Sequence, residues 1–237
     1  KKNAWWSVDL SKIDILLTRI YKKKLNYLGK ITNMYYNKGN IYKVKGFLLT
    51  KINEKEIPLT SLVDGFSKGE IIIDIYSIKD FTMEKMLYFF TKKGMVKKTV
   101  LSEYGGEYLV QQAYKFKYEK DEIVKVVIND DILSDVIIVT KGGMAIKFSS
   151  ENVNSMGRIA SGVTGISLRD GDEVISADVK ENHEDLGVIN NDIITLISKN
   201  KEKKEIKMTD IKLQNRAGRG SIVMVTELND EIVEVNF

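Results

Sequence analysis

The sequence predicts an all-β fold, a propeller-like array of small sheets, on three observations. Short runs that are solidly β-branched or that alternate apolar with polar dominate, as in Ile71-Ile72-Ile73 and Val124-Lys125-Val126-Val127-Ile128. Apolar stripes with a 3.6-residue period are scarce. Two kinds of turn recur together at one spacing. Hairpin turns end at positions 39, 94, 143 and 201, separated by 55, 49 and 58 residues. Acidic turns fall at Glu70, Glu122, Glu173 and Glu231, separated by 52, 51 and 58. Within each copy the two markers lie 31, 28, 30 and 30 residues apart. That period suits a four-stranded blade. One small twisted sheet cannot bury both faces alone, and stacking blades radially solves this while leaving only short edges.

The clearest copy runs from Asp135 to Val179. A strand (Val136–Val139) leads into the turn Thr140-Lys141-Gly142-Gly143, and a second strand covers Met144–Lys147. An irregular arm, Ser149–Ser161, contains Met156-Gly157-Arg158. A third strand (Val163–Leu168), the turn Arg169–Glu173 and a fourth strand (Val174–Val179) close the unit. The repeats fall at approximately 33–82, 83–132, 133–187 and 188–237. Residues 1–32 read as a partial blade or a closure of the ring, with Trp5-Trp6 packing on a core edge. Phe81–Met86 reads as a short helical turn between blades.

With 43% hydrophobic and 30% charged residues in 237, the chain is globular and able to bury a core. It has no cysteine, so a disulfide framework or thiolate metal site is excluded and a cytoplasmic setting is expected. No stretch approaches the ~18 apolar residues that cross a bilayer, and the first residues lack the apolar core of a signal peptide. The net charge of +4 is unevenly spread. Residues 1–120 hold 23 Lys+Arg against 12 Asp+Glu, and residues 121–237 hold 14 against 21. A basic half suggests a polyanionic partner.

Little in the sequence supports catalysis. The lone His183 lies in the polar run Glu181–Asp185 and has no second His or Cys to make a metal site or triad. Asp130-Asp131 and Asp170-Gly171-Asp172 lack calcium-loop spacing and stand where hairpins need turn residues. The cations are more informative because they recur with the repeat. Lys38, Lys92 and Lys141 stand in hairpin turns, with Lys93 beside Lys92. Lys43, Lys97, Lys98, Lys147 and Lys207 stand on the returning strands. The last two copies share Arg-x-x-x-Gly, Arg158 to Gly162 and Arg216 to Gly220, each Arg 15 residues past its turn marker. The same count in the first two copies gives Glu54 and Leu109, so their contribution is expected from lysines such as Lys45 and Lys51. In a radial array these cations would share one rim and touch successive phosphates of a bent duplex without reading bases. The other reading is a protein-interaction scaffold whose lysines only solubilise it.

The stretch Arg158-Ile-Ala-Ser-Gly-Val-Thr-Gly-Ile-Ser-Leu-Arg-Asp-Gly-Asp-Glu-Val-Ile175 resembles a blade of the C-terminal domain of bacterial type IIA topoisomerase A subunits, of gyrase or topoisomerase IV. Phe90–Tyr104 and Val139–Phe148 resemble hairpins of the same family, so the resemblance covers about residues 33–237. It implies a β-pinwheel with strands exchanged between neighbouring blades. It also implies binding and bending of double-stranded DNA on a basic rim, next to the cleavage core of the same polypeptide. Gln214-Asn215-Arg216-Ala217-Gly218-Arg219-Gly220 resembles the gyrase signature box, matching at Gln214, Arg216, Gly218, Arg219 and Gly220. Asn215 replaces a basic residue and Ala217 a glycine, and the box lies in the last repeat rather than the first. These departures point towards a topoisomerase IV-like protein. The implied domain is non-catalytic, and the ATP, Mg²⁺ and ATPase B subunit used by the parent enzyme belong elsewhere.

Overall fold

The computed structural model describes residues 31–45, 70–78, 80–106, 108–130, 133–182 and 192–237. Trp5-Trp6, Lys51, Glu54 and His183 lie outside them. The described residues form β1 (Ile31–Tyr36), β2 (Asn40–Lys45), β3 (Ile72–Ile78), β4 (Lys85–Thr91), β5 (Met95–Val100), β6 (Val110–Gln112), β7 (Ile123–Asp130) and β8 (Ser134–Thr140). Then follow β9 (Met144–Ser149), β10 (Val163–Thr164), β11 (Val174–Glu181), β12 (Ile193–Ser198), β13 (Lys203–Lys207), β14 (Ser221–Ile222) and β15 (Ile232–Asn236). Among the described residues there is no α-helix, only single 3-10 turns such as Leu101–Tyr104, Ser150–Asn152 and Met208–Asp210. Phe81–Met86 forms no helix. Asp80 accepts both the amide and the hydroxyl of Thr82, making a side-chain-closed turn, and Lys85 already begins β4.

The strands pair into three four-stranded sheets, β3-β1-β2-β6, β7-β4-β5-β10 and β11-β8-β9-β14, and one three-stranded sheet, β15-β12-β13. In each four-stranded sheet the outermost strand comes from the following repeat. Gln111 of β6 opposes Ile41, Val163 of β10 opposes Val96, and Ser221 of β14 opposes Ala145. This is the strand exchange of a β-pinwheel. The predicted strand Val163–Leu168 shrinks to two residues because the amides of Gly165 and Ile166 both turn to one acceptor, the Gly94 carbonyl.

The turn glycines make that exchange possible. Gly94 and Gly143 have φ of 83° and 77°, and a Cβ on either would stand 2.8 Å from the Ile166 carbonyl oxygen or 2.0 Å from that of Met224. Glycine is needed both for the left-handed backbone and for the close approach. The fourth copy has Lys201 here, at φ 69°, and among the described residues its strand β13 takes no exchanged strand. Every sheet also has a register shift beside this turn, at Tyr35/Tyr36, Phe90/Thr91 and Ile197/Ser198 before it and, in the third sheet, at Val174/Ser176 opposite Thr140 and Val139. A β-bulge at one point in each blade twists the strands alike.

The core lies between blades, with one apolar cluster for each junction. Ile41, Tyr76 and Ile78 of the first sheet meet Leu87, Phe89 and Val126 of the second. Tyr88, Phe90 and Val127 on the other face of the second sheet meet Val136, Ile138 and Ala177 of the third. Ile137 and Val139 on the third sheet's far face meet Ile194, Leu196 and Ile232. Strand β8 is therefore buried at every residue, which explains its solid run Val136–Val139. On β12 alternation returns, with Ile194 and Leu196 buried and Ile193 exposed, because among the described residues only one face of the last sheet is covered.

Candidate nucleic-acid interface

The closing strands β3, β7, β11 and β15 approach one another in succession, so they mark the inner edge of the array. The exchanged strands β6, β10 and β14 form the opposite, outer edges. The chain reaches β10 and β14 through arms that contain Arg158 and Arg216–Arg219. Register makes Arg158 and Arg216 equivalent, and each grips the exchanged strand of the blade before it. The Arg158 Nη1 donates to the Gln112 carbonyl, and the Arg216 Nη1 donates to the equivalent Thr164 carbonyl at 2.6 Å. The Arg216 Nε adds a bond to the Asn152 carbonyl at 3.0 Å.

Four residues on, Gly162 and Gly220 both have φ of 73°, and a Cβ there would lie 2.4 Å from the carbonyl oxygens of Val96 and Ala145. The Arg-x-x-x-Gly spacing thus describes an inter-blade clamp: one residue holds the neighbour's strand and the other lets the backbones touch. In the second repeat the position equivalent to Arg158 is Gly106, not Leu109. The arm there is three residues shorter, so counting from the turn overshoots. Cations with free outer-edge surface are Arg219, which is exposed, and the partly exposed Arg158 and Arg216. Gln214 and Gly218 are half-buried. Gln214 anchors the arm through its amide to the Lys147 carbonyl (2.8 Å) and its side chain to Ser221 Oγ (3.3 Å).

Three candidate lysines are not on the surface. Lys43 is buried, with Nζ donating to the Gly105 and Gly106 carbonyls at 3.2 and 3.1 Å; burial, helped by the Arg158 charge, lowers its pKa. Lys147 is buried, with Nζ 3.2 Å from the Met208 carbonyl oxygen and 4.0 Å from Asp135 Oδ2. Lys97 is wholly buried and donates to the Ala113 and Arg158 carbonyls. The expectation that these three face phosphates is corrected: each stands on a side of β2, β5 or β9 that neighbouring segments cover, and its ammonium turns to their main-chain carbonyls. Lys98 is partly exposed, its Nζ 6.0 Å from the Tyr88 ring centroid, and Lys207 is exposed.

The hairpin turns carry a second set of links. Lys38 aligns with Lys93, both exposed, while Lys92 aligns with Lys141. The carbonyls of Asn37, Lys92 and Lys141 accept the amides of Ile123, Val174 and Ile232 in the next blade. Side chains follow the same path. Asn37 donates to Glu122 at 3.1 Å, Lys92 pairs with Glu173 at 3.3 Å, and Lys141 pairs with Glu231 at 3.1 Å and Glu173 at 3.4 Å. The hydrogen bond that Lys141 donates to Glu231, outweighing burial, raises the Lys141 pKa. For Glu173 burial acts upward, but the two ammonium groups win and its pKa falls. The residue before each glutamate, Asp121, Asp172 or Asp230, accepts the turn amide of Lys93, Gly142 or Asn200 in its own blade. The Asp-Glu doublet therefore braces its own turn with the first residue and the preceding blade with the second. Its recurrence at 121–122, 172–173 and 230–231 was the available signal, masked by reading these residues as generic turn formers.

Among the described residues no group of three or more His, Asp or Glu side chains could hold a metal ion, and no helix is long and apolar enough to cross a membrane.

The sequence model of the family described as "DNA gyrase C-terminal domain, beta-propeller" matches residues 85–105, 134–179 and 206–236. The chain is 32% identical over 204 residues to the DNA gyrase A protein of Staphylococcus epidermidis (strain ATCC 12228), and 31% identical to that of Staphylococcus aureus (strain MRSA252). Each match covers 84% of this chain and 22% of the relative, so the chain spans about a fifth of the length of those proteins. Its fold matches the crystal structure of a topoisomerase IV C-terminal domain with a TM-score of 0.78 at 25% identity, over 88% of this chain and 63% of that one. The E. coli ParC C-terminal domain shares the fold, with a TM-score of 0.65 at 13% identity over 87% of this chain and 80% of that one. An array of strand-exchanged blades with clamped outer edges defines a β-pinwheel. The chain belongs to the C-terminal β-pinwheel family of bacterial type IIA topoisomerase A subunits.

Proposed function

We propose that this domain binds duplex DNA along its outer edge without strong sequence preference, and bends it there for strand passage by a type IIA topoisomerase. The observation that supports this most is the repetition of the outer edge. Consecutive blades present the same exchanged strand and arm, with Arg158, Arg216 and Arg219 at its surface. A duplex laid across such edges meets a cation at intervals and follows their curve, which gives affinity through phosphates rather than bases. Lys38, Lys93, Lys98 and Lys207 supply further exposed or partly exposed charge, while Lys92 and Lys141 are shared with carboxylates. The partners would be the cleavage core of the same polypeptide and the separate ATPase chain, in the bacterial cytoplasm, with ATP and Mg²⁺ used outside this domain.

The test is an anisotropy titration of a labelled duplex across a salt series. Binding should weaken steeply with salt, and R219Q should flatten the slope by about one without changing the fold. R216Q should flatten it similarly but also lower stability, since that guanidinium clamps β10. Binding no tighter than that of an unrelated protein of equal charge would refute the reading.

A further inference from the structure

Lys97 has no cationic counterpart at its position in the two neighbouring blades. Three residues past each turn glycine stand Tyr42, Lys97 and Ile146; Tyr42 bonds Glu70 at 2.6 Å and Ile146 joins the apolar core. The Lys97 Nζ lies in an aromatic cage, 4.6 Å from the Phe89 ring centroid, 5.1 Å from that of Tyr114 and 5.9 Å from that of Tyr104. Out of this cage it donates to the Ala113 carbonyl at 2.5 Å and the Arg158 carbonyl at 2.6 Å, with the Tyr104 hydroxyl at 3.3 Å. Those acceptors belong to different exchanges: Ala113 follows β6, which completes the first sheet, and Arg158 lies on the arm leading to β10, which completes the second. The Arg158 guanidinium holds the Gln112 carbonyl, so two successive carbonyls of one strand are held by Lys97 and Arg158. Tyr114, which walls the cage, donates its hydroxyl to the Ser161 carbonyl on the same arm.

We propose that Lys97 is a positioning residue for the outer edge: its buried nitrogen pins the Arg158 main chain to the Gln112–Ala113 strand and thereby fixes where the Arg158 guanidinium stands. The pin works in either protonation state, because an amine as well as an ammonium has two N–H groups for the two carbonyls. Burial, reinforced by the Arg158 charge and opposed by Glu103, brings the Lys97 pKa down to about 7. The consequence for DNA rests on the proposed function; the pinning of the arm does not.

The test uses K97M, which keeps the apolar stem and removes the donors. In hydrogen exchange read by mass spectrometry, the segment 155–165 should exchange at least ~10-fold faster in K97M while β8 and β9 stay protected. In duplex titrations K97M should flatten the salt slope by about as much as R158Q, and the K97M/R158Q double variant should lose nothing more. A purely structural lysine would lower stability without matching the R158Q slope. Unchanged exchange of 155–165 overturns the pin. Faster exchange with an unchanged slope for both K97M and R158Q retains the pin and refutes Arg158 as a DNA contact. If K97M does not fold, ¹⁵N-lysine spectra of the unmodified domain decide: Lys97 amine protons exchanging with water as fast as those of exposed lysines would overturn the proposal, and slow exchange would support it.

Discussion

Glu173 reaches from the third sheet to Lys92 of the second, Oε1 to Nζ 3.3 Å, while its other oxygen takes Lys141 of its own sheet at 3.4 Å. One carboxylate thus occupies two lysines that a simple count of positive charge would assign to DNA. E173Q should cost at most ~1 kcal/mol, since the pairs are partly solvated. It should also tighten duplex binding and steepen its salt dependence by freeing the Lys92 ammonium, while Lys141 keeps its pair with Glu231. The stability loss is read in urea, the slope in anisotropy titrations. Weaker duplex binding by E173Q would remove Lys92 from the interface.

Two glycines with similar backbone angles make a matched pair. Gly220 (φ 73°) would bring a Cβ to 2.4 Å from the Ala145 carbonyl oxygen, whereas Gly171 (φ 78°) has nothing within 4 Å of that position. G171A should cost only the left-handed strain, ~1 kcal/mol, and G220A that strain plus displacement of β14, together ~2–4 kcal/mol. Midpoints of urea unfolding measure the difference. Equal losses would mean that the arm does not lie against β9 as described.

Ala217 stands where the gyrase box has glycine, and it holds a left-handed φ of 66°. Replacing it by glycine relieves that strain against glycine's greater loss of chain entropy, so A217G should raise stability by ~0.5–1 kcal/mol. Thermal unfolding of the two proteins checks the sign.

The buried Lys97 sets a pH dependence. Its folded pKa, about 7, lies below the ordinary lysine value of 10.5, so between these limits the unfolded chain binds more protons. Stability should therefore rise with pH through that window, at no more than ~1.4 kcal/mol per unit. Arg158, Glu103, Tyr104 and Tyr114 face the same site, and burial, with the Asp121 charge, raises the Tyr114 pKa out of that window. K97M should lack the rise. Parallel profiles for the two proteins would show that Lys97 does not carry it.

The repeat was legible in sequence because its turns are chemically constrained. Gly39, Gly94, Gly143 and Lys201, picked out by spacing, all hold φ between 69° and 83°. Arg158–Gly162 and Arg216–Gly220 likewise marked one arm twice. Strand exchange was not legible from the residues alone, because β10 and β14 are two residues long and their partners lie 67 and 76 residues earlier in Val96 and Ala145. Nor was the fate of Lys43, Lys97 and Lys147. Alternation tells which face of a strand is wet only when one face is wet; the middle blades have none, and Lys43 of the first blade lies on the side that the next repeat's arm covers.

The central claim is that repeated outer edges curve a duplex. It is tested most directly by ligating nicked, relaxed circles with the domain bound and measuring linking number after the protein is removed. Wrapping or writhing of DNA on the array predicts a shift in the topoisomer distribution that grows with protein bound and shrinks for R219Q. Saturated binding with an unshifted distribution would contradict the claim.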